Sequence, residues 1–333
     1  MSATVAPDKI LKELAELWVD TAKQGQAEGG AGVLRACSMT LLVLAEESED
    51  SQGLGETIAA LMPEHPARAI VVRMSGPGER SLTERVYSQC WMPFGQRKQI
   101  CCEQVEITVS DAALADLPSV VLPLAVPDLP LILWCRSPRL AAMPEFLPIA
   151  AMAQKVVLDS GPMKDPAAAL KLMAALNARA VLLGDLSWTR LTRWREMLAQ
   201  VFENQQNLAQ LERIFEVKLE RGEGFEVSAL YMAAWLTDCL TDAGVPDVSF
   251  GVDPAPEGVS IRVQLAGDGF ALELARREDR MVVTVNGVSQ CTSLSQPTDY
   301  LLMREELGIV RRDPVFERAL TGAAALALPS EGK

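Results

Sequence analysis

Residues Leu117 to Arg136, LPSVVLPLAVPDLPLILWCR, form the most apolar stretch of the chain and the one most interrupted by proline. So apolar a run has to be buried. Pro118, Pro123, Pro127 and Pro130 each fix φ and remove a backbone donor, which excludes one continuous helix and cuts the run into short pieces. Val120 to Leu124 and Leu131 to Cys135 then read as two core strands around a Pro-Asp-Leu-Pro bend, with Leu122 and Leu133 expected inside. A membrane span is the competing reading. The prolines and the mid-run Asp128 weigh against a lipid-facing helix, which must satisfy its backbone internally.

At 333 residues the chain exceeds what one ordinary core serves, so two domains are expected. A hydrophobic content of 49% with 23% charged residues is that of a globular protein. The formal net charge of −13 and a pI near 4.7 weigh against nucleic acid or an anionic membrane as the main partner. The leading MSATVAPDKILKELAELW lacks a basic segment followed by an apolar one, so the expected location is cytoplasmic. Seven cysteines with no CxxC spacing suit reduced thiols and argue against zinc. Adjacent Cys101 and Cys102 would point to opposite faces of a strand, so only one can face the core; with no base closer than Lys98 and no evident pairing partner, a redox role for the other is not the expected reading.

Taken in order, Pro7 to Thr21 is an amphipathic helix and Gln24 to Gly32 a glycine-rich linker. Val33 to Ala45, Leu54 to Met62 and Ala69 to Met74 read as a strand-helix-strand unit with parallel pairing. Arg85 to Met92 and Lys98 to Ser110 alternate as antiparallel neighbours around a turn at Pro93 to Gln96. After the proline-cut run come a helix at Phe146 to Gln154, a strand at Val156 to Leu158, a helix at Asp165 to Asn177 capped by Asp165, and a strand at Ala180 to Leu183.

From Leu186 the texture changes. Trp188 to Leu211 is helix-prone, Ile214 to Leu219 a strand, and Phe225 to Asp242 a helix stopped by Gly244 and Pro246. Three alternating segments, Val259 to Leu265, Phe270 to Ala275 and Met281 to Val285, are joined or followed by Gly267-Asp268-Gly269 and Asn286-Gly287 turns. Helices at Thr298 to Leu307 and Pro314 to Leu320 follow. The predicted class is a mixed-sheet α/β domain over 1–184, then an α+β domain with an antiparallel sheet over 185–333.

No catalytic, cofactor-binding or metal-ligating constellation emerges from the residues. The one histidine, His65, lies in a helix-to-strand turn and cannot build a multi-histidine site. Gly76-Pro77-Gly78 follows a strand but fits neither phosphate-loop pattern, so it reads as a turn. Asp185, Asp238 and Asp242 read as caps and solubilising charge. Polar chemistry concentrates in Trp188-Thr189-Arg190-Leu191-Thr192-Arg193-Trp194-Arg195, where two indoles and three guanidiniums share eight residues. That composition suits either a protein interface or rings packed into a junction with arginines on nearby acids. Arg136 and Arg139 follow a central strand, on the side where open α/β sheets place ligands.

Two segments carry a family resemblance. LPSVVLPLAVPDLPLILWCR is similar to the LPSVVLPLLVPDLPVxLWWR segment of the OpcA family, the glucose-6-phosphate dehydrogenase assembly proteins, and Gly184 to Gln200, GDLSWTRLTRWREMLAQ, resembles its DLxWTRLTPWRELLAQ signature. Weaker similarity runs from about Pro63 through Cys102-Glu103 to Leu230 to Leu236. Cys135 stands where a second Trp is common in the family, and Arg193 where Pro is common. The resemblance implies a non-catalytic factor whose partner is glucose-6-phosphate dehydrogenase, with no cofactor of its own; Trp188, Arg190, Arg193, Trp194 and Arg195, with Arg136 and Arg139, are the candidate partner contacts. The alternative is a sugar-phosphate-binding enzyme or sensor using Arg136 and Arg139.

Overall fold

The structure, a computed structural model, describes residues 6–27, 33–91, 99–179, 181–245, 248–257, 259–277 and 279–328. The chain divides into two compact units. The first comprises Met1–Leu158, Ala180–Gly184 and Glu306–Gly308; the second comprises Asp159–Arg179, Asp185–Glu305 and Ile309–Lys333.

The first unit is built on strands β1 (Val33–Arg35), β2 (Met39–Glu46), β3 (Ala67–Met74), β4 (Leu82–Trp91), β5 (Gln99–Val109), β6 (Leu131–Cys135), β7 (Lys155–Leu158) and β8 (Leu182–Asp185). They form one sheet in the order β1-β5-β3-β2-β6-β7-β8, with β4 paired to β5. β2, β3, β5, β6 and β7 pair in parallel, whereas β4 runs antiparallel to β5. β3 and β6 are buried at every position, as strands covered on both faces must be; this explains the unbroken apolar sequence of β6 and the apolar run Ala69 to Val72 of β3, which is flanked by the buried Arg68 and Arg73. The chain moves outward from β2 through β3 to β5, then returns to β6 on the other side of β2. Strand order therefore reverses between β2 and β6, the place where open α/β sheets leave a crevice.

The proline-cut run contains one strand, not two. β6 forms as expected, but Leu117–Leu124 is an α-helix with Pro118 in its first turn and Pro123 near its end. Pro118 lies where a helix has donors to spare, so its missing N–H costs nothing there. Leu117, Val120, Val121 and Leu124 are the buried residues, spaced i, i+3, i+4 and i+7. Leu122, expected in the core, points outward and is 52% exposed, whereas Leu133 is fully buried. Asp128 turns the chain toward β6 with φ at +63°, a conformation an aspartate tolerates better than most residues.

A buried ion pair also belongs to this unit. Lys155 Nζ lies 3.0 Å from Glu306 Oε2, with both side chains at least 95% buried, and donates to the Glu306 carbonyl. Gly184 lets the Glu306 carboxylate approach the backbone, because a Cβ there would overlap it.

The second unit carries a sheet of β9 (Ile214–Arg221), β10 (Ser249–Pro254), β11 (Ile261–Gly267), β12 (Phe270–Arg277), β13 (Arg280–Val285) and β14 (Val288–Ser293), in the order β10-β9-β11-β12-β13-β14. All neighbours are antiparallel except β10 and β9. Ile261, Val263 and Leu265 alternate with half-exposed Arg262 and Gln264, so this sheet has one apolar and one polar face. Helix Glu226–Asp242 packs on helix Pro314–Leu326, where Gly322 lies so near Ala234 that an added Cβ would come within 2.9 Å of its methyl. Asp165 and Asp313 cap helices Pro166–Asn177 and Pro314–Leu326.

Expected boundaries shift in several places. The first helix runs Pro7–Ala27, so Gln24 to Ala27 of the expected linker are helical; residues 28–32 and the Pro93 to Gln96 turn lie outside the described residues. The long helix expected over Trp188 to Leu211 is three pieces, Leu186–Thr189, Thr192–Glu203 and Gln205–Leu208. Asn204 makes the second break: its extended backbone ends one helix while its side chain caps the next by accepting from Gln206 N. β10 and β14 were not expected. Gly251, Pro254 and the polar VSQCTS hide the alternation by which β11 to β13 are recognised.

Candidate functional site

Two clusters hold the polar side chains singled out above, one in each unit. In the first unit, β6 delivers Arg136 and Arg139 to the carboxyl end of the sheet beside the β2 to β6 reversal. Ser137 caps the short helix Pro138–Ala141 by accepting from Leu140 N, and the resulting turn aims Arg139 back at β2. Arg139 donates from Nη2 to Glu46 Oε2 at 3.0 Å and from Nη1 to Asp111 Oδ2 at 2.6 Å. These bonds raise its pKa further above the ordinary value. Arg136 pairs with Glu49 and lies over the Trp134 ring, 4.5 Å from its centroid. Arg73, at the end of β3 and almost wholly buried, reaches the Glu49 carbonyl. Asp50 caps helix Ser51–Leu61, its two oxygens accepting from Gln52 N and Gly53 N. Arg136, Arg139 and the first amides of helix Ser51–Leu61 are thus each engaged by a carboxylate of the chain itself.

In the second unit, the Trp188 to Arg195 segment folds around Asp185. This residue is fully buried; its Oδ1 accepts from Ser160 N and Ser187 N, and its Oδ2 accepts from the Tyr231 hydroxyl at 2.8 Å. Burial, and then the nearby Asp159 carboxylate, push its pKa up to about 6. Burial likewise drives the Tyr231 hydroxyl well above its ordinary value. Arg190 grips Asp159 with both Nη atoms, at 2.8 and 2.6 Å, and Ser187 Oγ donates to the same carboxylate. Trp188 is 5% exposed, packs edge-on to Tyr231 with ring centroids 5.8 Å apart, and is covered by the Arg195 guanidinium 3.6 Å from its centroid. Arg195 also donates to the Trp188 carbonyl at 2.8 Å.

The seven candidate contacts therefore have different surroundings. Trp188 and Trp194 are buried, Arg190 and Arg195 are turned onto neighbours, and Arg136 and Arg139 are held by acids. Arg193 alone among the seven has a side chain as much as 73% exposed, and its ion pair among the described residues is with the helical neighbour Glu196 at 2.8 Å. Sequence reasoning missed Asp159 and Tyr231. Its reading of Asp185 as a cap holds, since the side chain accepts from Ser187 N at the start of helix Leu186–Thr189, but its reading as solubilising charge does not, because the residue is the buried centre of the cluster. Capping was legible from Asp185 standing two residues before Ser187 at a strand-to-helix junction, but nothing local marks its burial or its bond from Tyr231. Of the cysteines, Cys102 faces the core and burial pushes its thiol up to about 11; the side chain of Cys101 lies outside the described residues. Gly76, with φ at +85°, makes the expected turn. No helix among the described residues is long and apolar enough to cross a membrane.

Residues 58–175 match the family model described as the glucose-6-phosphate dehydrogenase subunit N-terminal domain, and residues 182–320 match its C-terminal counterpart. The chain is 24% identical over 194 residues to the OxPP cycle protein OpcA of Synechocystis sp., covering 57% of this chain and 40% of that one. It is 29% identical over 141 residues to the protein of the same description from Nostoc punctiforme, covering 42% and 30%. Each match thus spans two fifths or less of the curated relative's length. Among solved structures, the chain resembles KijD10, a 3-ketoreductase from Actinomadura kijaniata in complex with NADP and TDP-benzene, with a TM-score of 0.50 at 9% identity, covering 86% of this chain and 95% of that one. That likeness is one of fold.

A fold shared with an NADP-bound reductase raises the question of whether this chain's crevice suits a dinucleotide. Its residues do not fit one. The turn after β2, where such folds place a glycine-rich pyrophosphate cradle, reads Glu46-Glu47-Ser48-Glu49-Asp50. Four carboxylates replace the glycines, and Asp50 takes the helix amides a phosphate would use.

Proposed function

The chain belongs to the OpcA family of glucose-6-phosphate dehydrogenase assembly proteins, and from that premise we propose that it is a non-catalytic factor that binds glucose-6-phosphate dehydrogenase and favours its active oligomer. The setting would be cytoplasmic, in the oxidative pentose phosphate pathway. The observation that supports this most is the pair of matches through residues 58–320 in N-terminal to C-terminal order. The carboxylate-filled crevice agrees with it, because a chain that cannot seat a dinucleotide leaves NADP chemistry to its partner. Linkage is the mechanism: a factor that binds the active oligomer more tightly than other forms shifts the population toward it.

Within this reading the partner surface narrows to the outer face of helix Thr192–Glu203, where Arg193, Glu196 and Gln200 are exposed. The indoles cannot supply contact area to a rigid docking, being 5% exposed. The sugar-phosphate alternative is disfavoured by the acids that already occupy Arg136 and Arg139.

The deciding experiment mixes the purified chain with the dehydrogenase and follows activity and particle mass together. A joint rise in activity per dehydrogenase subunit and in mass is expected. If neither changes, the assembly reading fails; a mass change without an activity change reduces the chain to a structural subunit.

A further inference from the structure

The second sheet ends in two edges that are treated differently. β10 carries Asp253 and Pro254 and runs on into Pro256 and Glu257, and Asp253 lies 3.7 Å from Lys218 of β9. Charge and proline are the ordinary devices by which an edge strand refuses another strand. β14 has neither. Its six residues, Val288-Ser289-Gln290-Cys291-Thr292-Ser293, are all exposed, and they pair with β13 in a register without a bulge. The uncharged stretch extends beyond the strand, since no Asp, Glu, Lys or Arg occurs in the thirteen positions 286–298 of a chain in which 23% of residues are charged. Among the described residues, no backbone bond runs from β14 to any segment other than β13.

We propose that β14 is a self-pairing edge, through which two copies of this chain join antiparallel to make one continuous sheet. A second copy is the occupant that suits the charge pattern. Two chains of net charge −13 repel one another over most of their surfaces, and β14 is a strip where they can meet without opposing charges. Antiparallel self-pairing sets only Ser, Thr, Gln, Cys and Val against one another, so neither copy contributes an ion or a bulky ring to the seam. The contact is isologous and closes at two copies, because each copy has one such edge in this sheet and the other edge is blunted. A two-fold near the strand centre sets Gln290 or Cys291 close to its own symmetry mate. This interface is separate from the helix face assigned to the dehydrogenase and does not depend on that assignment.

The test is sedimentation of the full chain from about 1 to 200 µM, a range suited to a small interface. Mass should rise with concentration from one chain to two. Cys291→Lys sets like charges across the seam and should weaken the dimer at least about tenfold, while Val252→Lys, on the blunted edge, should not. A chain that stays monomeric throughout, or a dimer equally strong in Cys291→Lys, overturns the proposal. Should the lysine variant misfold, bismaleimide cross-linking of the natural chain replaces it. Dimers linked between two Cys291 residues support the seam, and dimers linked only through other cysteines overturn it.

Discussion

The proline-cut run of the first unit and the Trp188 to Arg195 segment of the second are both marked by family signatures, but they are held by different forces. In the first, Leu133 is surrounded by apolar neighbours while Leu122, eleven positions earlier in the same run, is 52% exposed. In the second, Arg190 grips Asp159 beside a buried carboxyl, while Arg193, three positions on and in the next helix, has 73% of its side chain in water. The run is stabilised by apolar burial and should be indifferent to pH. The segment is organised by charge in a dry place, so its contribution to stability should follow protonation. A signature shared with relatives thus mixes residues that hold the fold with residues available for contact, and exposure separates them.

The sharpest way to break that comparison lies in the run. Leu133→Asp, which puts an unpaired carboxylate among apolar groups, should cost about 4 kcal/mol or more, whereas Leu122→Asp should cost under about 1 kcal/mol. Urea unfolding of both variants checks this, and equal losses would mean that the two leucines do not differ in burial.

The next effect belongs to Asp185. Its carboxyl titrates near 3.9 when unfolded and at about 6 in the fold. Between these values the unfolded chain releases a proton that the folded chain keeps. Stability should therefore fall as pH rises from about 4 to about 6 and then level off, by at most about 3 kcal/mol. Asp185→Asn should flatten that part of the stability-pH curve. An unchanged slope in the variant would assign the dependence to other groups.

Smaller again is Arg190→Met, which leaves the Asp159 carboxylate without its fork; because a third of the arginine side chain is exposed, about 2 kcal/mol is expected rather than the full cost of breaking a buried pair. Least of all, Arg193→Glu should move stability by no more than about 0.5 kcal/mol while weakening dehydrogenase binding, as read by paired melting and pull-down measurements. Normal binding at normal stability would remove Arg193 from the interface.

The strands β2, β3, β6 and β7 and the capped helix Pro166–Asn177 were legible in the sequence, because continuous apolar runs and an Asp-Pro start are local signals. The helix Leu117–Leu124 was legible too, in the i, i+3, i+4, i+7 spacing of its apolar residues, but its prolines pointed to extended chain. Arg136 and Arg139 could be placed at a strand's carboxyl end from order alone. The acids that occupy them could not, since Glu46 and Arg139 are 93 residues apart along the chain. The same holds for Asp185 with Tyr231, 46 apart, and Lys155 with Glu306, 151 apart. What the sequence determined by itself is therefore the set of elements whose burial repeats with a period, together with the absence of a glycine-rich cradle. What only the tertiary structure decided is which charges meet: a carboxylate's role depends on its desolvation and on partners brought from distant segments, and neither leaves a periodic trace in the chain.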